Sequence, residues 1–176
     1  MGPRRQCLAV IKVYTSVHTI EGTQVAGGFS FALVVSRYHD FVTDRLQAGA
    51  LAALEAAGAR SDDITVLKVP GAFEIPLAAR QAAQTGRFAA IVCLGCLIRG
   101  ATPHFEFIAS AVSHGLTDAS SATGVPMTFG ILTTNSVEEA LERAGEGPSN
   151  KGWEAATAAV EMAAVAAQLG HWAPQT

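Results

Sequence analysis

From about residue 30 onward, short apolar runs alternate with longer Ala-rich stretches. The runs Phe31–Ser36, Ile64–Val69, Ala89–Ile98 and Pro126–Thr133 have the length and β-branched content of buried strands. Between them, apolar residues recur at helical spacing. In Asp40–Ala59, Leu46, Ala50, Leu51 and Leu54 share one face and the stretch stops near Gly58. Phe73–Thr85 predicts a second helix, with Pro76 in the first turn, where no intrahelical N–H bond is lost, and Gly86 as its end. His104–Thr123 predicts a third. Asn135 or Ser136, each followed three residues later by Glu138 or Glu139, predicts a capped short helix reaching Arg143. A turn-rich break at Gly145–Asn150 precedes a long final helix, Trp153–Leu169.

This rhythm predicts an α/β fold: a parallel four-stranded sheet in a flavodoxin-like order with helices on both faces, a three-layer α/β/α sandwich. Residues 1–28 fit less well and are expected as an N-terminal extension ahead of a domain at 29–176. Within the extension, Leu8–Tyr14 is expected as a strand and His18–Gly28 as an arm, mobile or adding an edge strand to a neighbour.

The length, 176 residues, suits one domain. With 49% hydrophobic residues, 15% charged and a mean hydropathy of +0.29, the chain carries more apolar surface than one small core needs, which predicts an oligomer. A net charge of −3, with no basic cluster longer than Arg4-Arg5, argues against nucleic-acid binding. Apolar runs fall short of the roughly 18 residues of a membrane span, and the apolar stretch near the start is too short for a secretory segment, so a cytoplasmic protein is expected. The three cysteines do not suggest a disulfide framework. Cys93 and Cys96 form a C-x-x-C inside a strand, where residues three apart face opposite sides, so both are expected as buried thiols rather than a redox or metal site.

Ligands of such folds gather at the carboxyl ends of the strands. Ser36-Arg37-Tyr38-His39-Asp40, after the first strand, has no glycine-rich dinucleotide fingerprint, and residues 145–152 lack the order of a phosphate loop, which excludes nicotinamide and ATPase readings. Val69–Pro76 leads into a helix whose first N–H groups are free, with Glu74 either pairing with the helix dipole or accepting hydroxyls. After the third strand, His104 opens a helix; it is a candidate acid/base, although a lone histidine is more often structural. Arg143, with Lys151 nearby, either complements a helix end or holds a phosphate.

Taken together, Ser36–His39, Val69–Pro76, Leu97–Glu106, Phe129–Thr134, Glu142–Gly145 and Asn150–Gly152 resemble the 6,7-dimethyl-8-ribityllumazine synthase family, in order over nearly all of the chain beyond the extension. The resemblance implies condensation of 5-amino-6-(D-ribitylamino)uracil with 3,4-dihydroxy-2-butanone 4-phosphate, releasing phosphate and water, without metal or organic cofactor. It assigns acid/base work to His104 and an aromatic platform to Tyr38 and Phe129. It gives the ribityl chain to Ala72, Phe73 and Glu74, the heterocycle to Cys96, Leu97 and Ile98, and a place near the ribityl and phosphate groups to Lys151. Ala101 and Thr102 would contact the butanone phosphate and Arg143 clamp its phosphate. The chain departs from the usual pattern where Tyr38-His39 replaces Phe-Asn and where Cys96 replaces a small or hydroxyl residue.

The resemblance also implies a homopentamer whose sites lie between adjacent subunits, with Phe129, Arg143 and Lys151 supplied by the neighbour. Pentamers of the family also build sixty-subunit icosahedral shells, which the short Gly145–Asn150 turn favours, and riboflavin synthase is an associated partner. The rival readings are a non-catalytic lumazine or flavin binder, a riboflavin-forming enzyme and a shell protein without turnover. His104 and Arg143 favour condensation, since storage needs neither a proton carrier nor a phosphate clamp.

Overall fold

The computed structural model describes residues 17–170. Four parallel strands, β1 (Phe31–Ser36), β2 (Ile64–Val69), β3 (Ala90–Ile98) and β4 (Met127–Thr134), lie in the order β2-β1-β3-β4. Five helices connect and flank them: α1 (Asp40–Ala56), α2 (Ile75–Gln84), α3 (His104–Thr123), α4 (Val137–Arg143) and α5 (Lys151–Gln168). The expected three-layer sandwich is present, with elements displaced by only a few residues from their sequence-based bounds.

Alternation along the strands sorts the core into two halves. Phe31, Leu33 and Val35 of β1, with Val92, Leu94 and Cys96 of β3, pack against α1, α4 and α5. Ala32 and Val34, with Ile91 and Cys93, face α2 and α3 instead. Both cysteines are buried thiols, as expected, and they belong to opposite halves. Burial disfavours the thiolate, pushing Cys96 up to about 11 and Cys93 further.

Helices α1 and α5 approach so closely that a Cβ on Gly152 would stand 1.9 Å from the carbonyl oxygen of Leu46. Asn150 fixes this junction. Its Oδ1 caps α5, accepting from Gly152 N at 2.7 Å and Trp153 N at 3.3 Å. Its Nδ2 donates to the carbonyls of Arg45 at 3.1 Å and Gly145 at 2.6 Å. One buried carboxamide thereby joins α1, the turn after α4 and the start of α5.

The expected strand at Leu8–Tyr14 lies outside the described residues. Parts of the arm at 18–28 lie against the rest of the chain. Gln168 Nε2 donates to Glu21 O at 2.9 Å, Gln24 Nε2 donates to Glu161 Oε1 at 3.1 Å, and Ala26 is fully buried against the core. Glu21 and Gln24 thus meet residues more than 130 positions away, and Ala26 N donates to Ala57 O at 2.9 Å, pairings that no local pattern in the sequence announces.

Candidate active site

The strand order reverses between β1 and β3, so a crevice opens where their carboxyl ends diverge. The loop after β1 is pinned from below. Ser36 Oγ accepts from Tyr38 N at 3.1 Å, Thr43 Oγ1 donates to Ser36 O at 2.8 Å, and Arg37 N donates to Val69 O at 2.8 Å. This leaves the Tyr38 ring 64% exposed and projecting over the crevice. His39 packs edge-on against it, with centroids 4.4 Å apart.

His39 is the one non-glycine residue with positive φ among the described residues, at φ 60° and ψ 49°. Asn and His are among the residues that accept this left-handed region most readily, so the His39 departure from Asn is compatible with the backbone. Partial burial lowers its pKa below 6.5, against the opposing pull of Asp40.

After β2, a 3₁₀ turn at Ala72–Glu74 carries the chain into α2, with Pro76 in the first turn. Ala72 is buried while Phe73 is 59% exposed. At the end of β3, half-buried Leu97 and Ile98 lead into an exposed turn, and His104 stands exposed as the first residue of α3.

A cavity of about 460 Å³ draws these loops together. Tyr38, Ala72, Phe73, Leu97, Ile98, Thr102 and His104 all line it. Sequence reasoning missed Ile108 and Val137, which supply further apolar wall. Ile108 sits one helical turn beyond His104 and was findable by spacing; Val137 arrives from α4 and gave no local sign.

Phe129, Arg143 and Lys151 line a different cavity, of about 450 Å³, on the edge strand β4. Arg143 Nη1 donates to Glu139 O at 2.9 Å. Lys151 Nζ donates to both carboxylate oxygens of Glu154 at 2.7 Å. Glu154, unnoticed in the sequence, lies three residues along the same helix and shares this cavity. The cationic pair and the histidine therefore occupy separate hollows of the chain.

Three expected site residues line neither cavity. Cys96 is buried at 1% exposure in the core half facing α1, α4 and α5, Ala101 is exposed in the turn before α3, and Glu74 is half-buried beside Gly71. Among the described residues, no group of three His, Cys, Asp or Glu side chains is placed to hold a metal ion, and no helix is long and apolar enough to cross a membrane.

Comparison with known proteins adds a separate line of observation. A family profile described as 6,7-dimethyl-8-ribityllumazine synthase matches residues 28–167. A protein of that name from Syntrophus aciditrophicus is 52% identical over 149 residues, spanning 85% of this chain and 97% of its own. Another from Desulfatibacillum aliphaticivorans is 50% identical over 150 residues, with the same coverage of each.

Proposed function

The chain belongs to the 6,7-dimethyl-8-ribityllumazine synthase family, and from that premise we infer which residues carry its chemistry. The enzyme condenses 5-amino-6-(D-ribitylamino)uracil with 3,4-dihydroxy-2-butanone 4-phosphate in riboflavin biosynthesis, giving 6,7-dimethyl-8-ribityllumazine, phosphate and water. The relatives carry the enzyme's name, and the non-catalytic reading has no such support.

In our reading, the pyrimidine enters the cavity below Tyr38. Its heterocycle lies along Leu97 and Ile98 with Cys96 beneath, and its ribityl chain runs towards Ala72, Phe73 and Glu74. The turn carrying Ala101 and Thr102 receives the butanone phosphate. His104 moves protons as the imine forms, phosphate leaves and the ring closes; each step transfers a proton between carbon, nitrogen or oxygen, and a positioned base typically contributes about 10²–10⁴-fold. Holding both substrates together supplies much of the remaining acceleration. Arg143 neutralises the phosphate with paired N–H donors, and Lys151 adds a point charge.

One observation carries the assembly part of this proposal: the proton carrier and the phosphate clamp occupy separate cavities. A site needing both is completed when β4 of one subunit faces the His104 cavity of the next. The exposure of Phe129, at 48% on an edge strand, and the apolar surplus of the chain support such a contact. We take the closed ring to be a pentamer. The short Gly145–Asn150 turn favours its growth into an icosahedral shell, and a cytoplasmic location and association with riboflavin synthase belong to the same proposal.

The test mixes two disabled variants. Co-assembled His104→Ala and Arg143→Ala subunits are expected to recover part of the activity, because some interfaces then hold one intact copy of each half-site. No recovery in demonstrably mixed assemblies would reject the shared site.

A further inference from the structure

The turn that presents His104 has little of its own to hold it. Residues 100–104 are all exposed, and Pro103, at the cap position of α3, has no side-chain atom that could cap; its carbonyl accepts from Glu106 N at 3.1 Å and Phe107 N at 3.4 Å. What fixes this turn is Arg99, at its beginning. The Arg99 backbone N donates to Thr134 O at 2.9 Å, tying the residue to the end of β4. Its guanidinium then reaches in three directions. Nε donates to Asn135 Oδ1 at 3.1 Å, Nη1 pairs with Glu106 Oε1 on the first turn of α3, and the guanidinium carbon lies 4.5 Å from the centroid of the Phe105 ring. Asn135 is itself held, since its N donates to Glu139 Oε2 at 2.9 Å.

We propose that Arg99 is the positioning residue of the reaction, its planar guanidinium bracing the 99–106 turn so that the His104 ring keeps a fixed place over the crevice. The inference rests on the reading of His104 as the proton carrier. Arg99 itself lines neither cavity, so it acts through the turn and not on the substrate. The arrangement is a poor stability device, because both partners of the ion pair are about half exposed and such pairs contribute little to folding. Its value is geometric: the two residues it grips on α3, Phe105 and Glu106, directly follow His104. Lysine could keep the charge but neither the fork nor the flat stacking face.

The experiment compares the full-length protein with Arg99→Met, Arg99→Lys, Glu106→Gln, His104→Ala and the Arg99→Met/His104→Ala pair. It reads kcat, the affinity for the ribitylaminouracil and Tm. Arg99→Met is expected to lower kcat at least about fivefold, since small misplacement of a catalytic group is costly. Pyrimidine affinity should change less than about twofold. Arg99→Lys should recover less than half of the loss, Glu106→Gln should reproduce part of it, and in the His104→Ala background Arg99→Met should cost less than about twofold more.

Unchanged turnover in Arg99→Met, full recovery in Arg99→Lys, or equal factors in both backgrounds would overturn the positioning role. Unchanged turnover in His104→Ala alone would instead remove the reading beneath it. If Arg99→Met lowers Tm sharply, Glu106→Gln decides the matter, because it takes the charge out of one contact, leaving a weaker hydrogen bond to a neutral acceptor, and leaves the other two contacts of Arg99 untouched.

Discussion

Replacing Gly152 by alanine is the sharpest test of how this fold is held. The added Cβ would sit 1.9 Å from Leu46 O and 2.7 Å from its carbonyl carbon, both backbone atoms that no rotamer change can move. A carbon–oxygen contact settles near 3.3 Å, so α1 and α5 would have to part by about 1.4 Å at their crossing. Overpacking typically costs about 1–3 kcal/mol, and with backbone on one side we expect the upper end, about 3 kcal/mol. The helix propensity of alanine works the other way by about 0.8–1.0 kcal/mol, so at an open helical position the same exchange would stabilise. For a chain of this size each kcal/mol moves Tm by about 2–4 °C, giving an expected fall of about 6–12 °C. Scanning calorimetry at one fixed protein concentration measures it, since the proposed assembly would make Tm concentration-dependent. Because Lys151 immediately precedes Gly152, the KM for the butanone phosphate should rise as well. A Tm equal to or above that of the parent protein would refute the close-packing argument.

Further outcomes are expected at three positions. His104→Ala should slow turnover at least about tenfold with assembly intact, read from lumazine absorbance beside size-exclusion profiles; an unchanged rate would sink its role. Arg143→Ala should raise the KM for the butanone phosphate more than that for the pyrimidine, and equal effects on both would reject the phosphate clamp. His39→Val should destabilise by about 1–2 kcal/mol, because a β-branched residue is forced into the left-handed region, whereas His39→Asn should be nearly neutral at pH above 7. The His39 pKa is lowered by folding, so below about 6.5 the unfolded chain binds more protons and the parent protein loses stability as pH falls. The Tm of the parent protein minus that of His39→Asn should therefore fall from near zero at about pH 7.5 to below zero at about pH 5.5; a constant difference would contradict the burial argument.

The sequence by itself determined the elements, the sheet's two-sided burial and the loops in which to look for chemistry. Those features are written in periods of 2 and 3.6 residues, and such periods are local. The first five residues of β1 alternate between two core halves, Pro76 sits in the first turn of α2, and Ser136 caps α4 by accepting from Glu139 N at 3.2 Å. The resemblance across the strand-end loops then named the candidate residues, because chemistry-bearing side chains there are close in sequence to the strand that places them.

Only the tertiary structure decided which of those surfaces meet. It gathered His104 with Tyr38 and Phe73 and set Arg143 and Lys151 in another hollow, a partition invisible in a linear list. It put His39 in the left-handed region, laid Gln24 against Glu161, and brought Asn150 to the carbonyl of Arg45, 105 positions earlier. The physical reason is the same in each case. A hydrophobic pattern records that a face must be buried, but not against what; that choice is made by close packing and by the need to satisfy buried polar groups across distant parts of the chain.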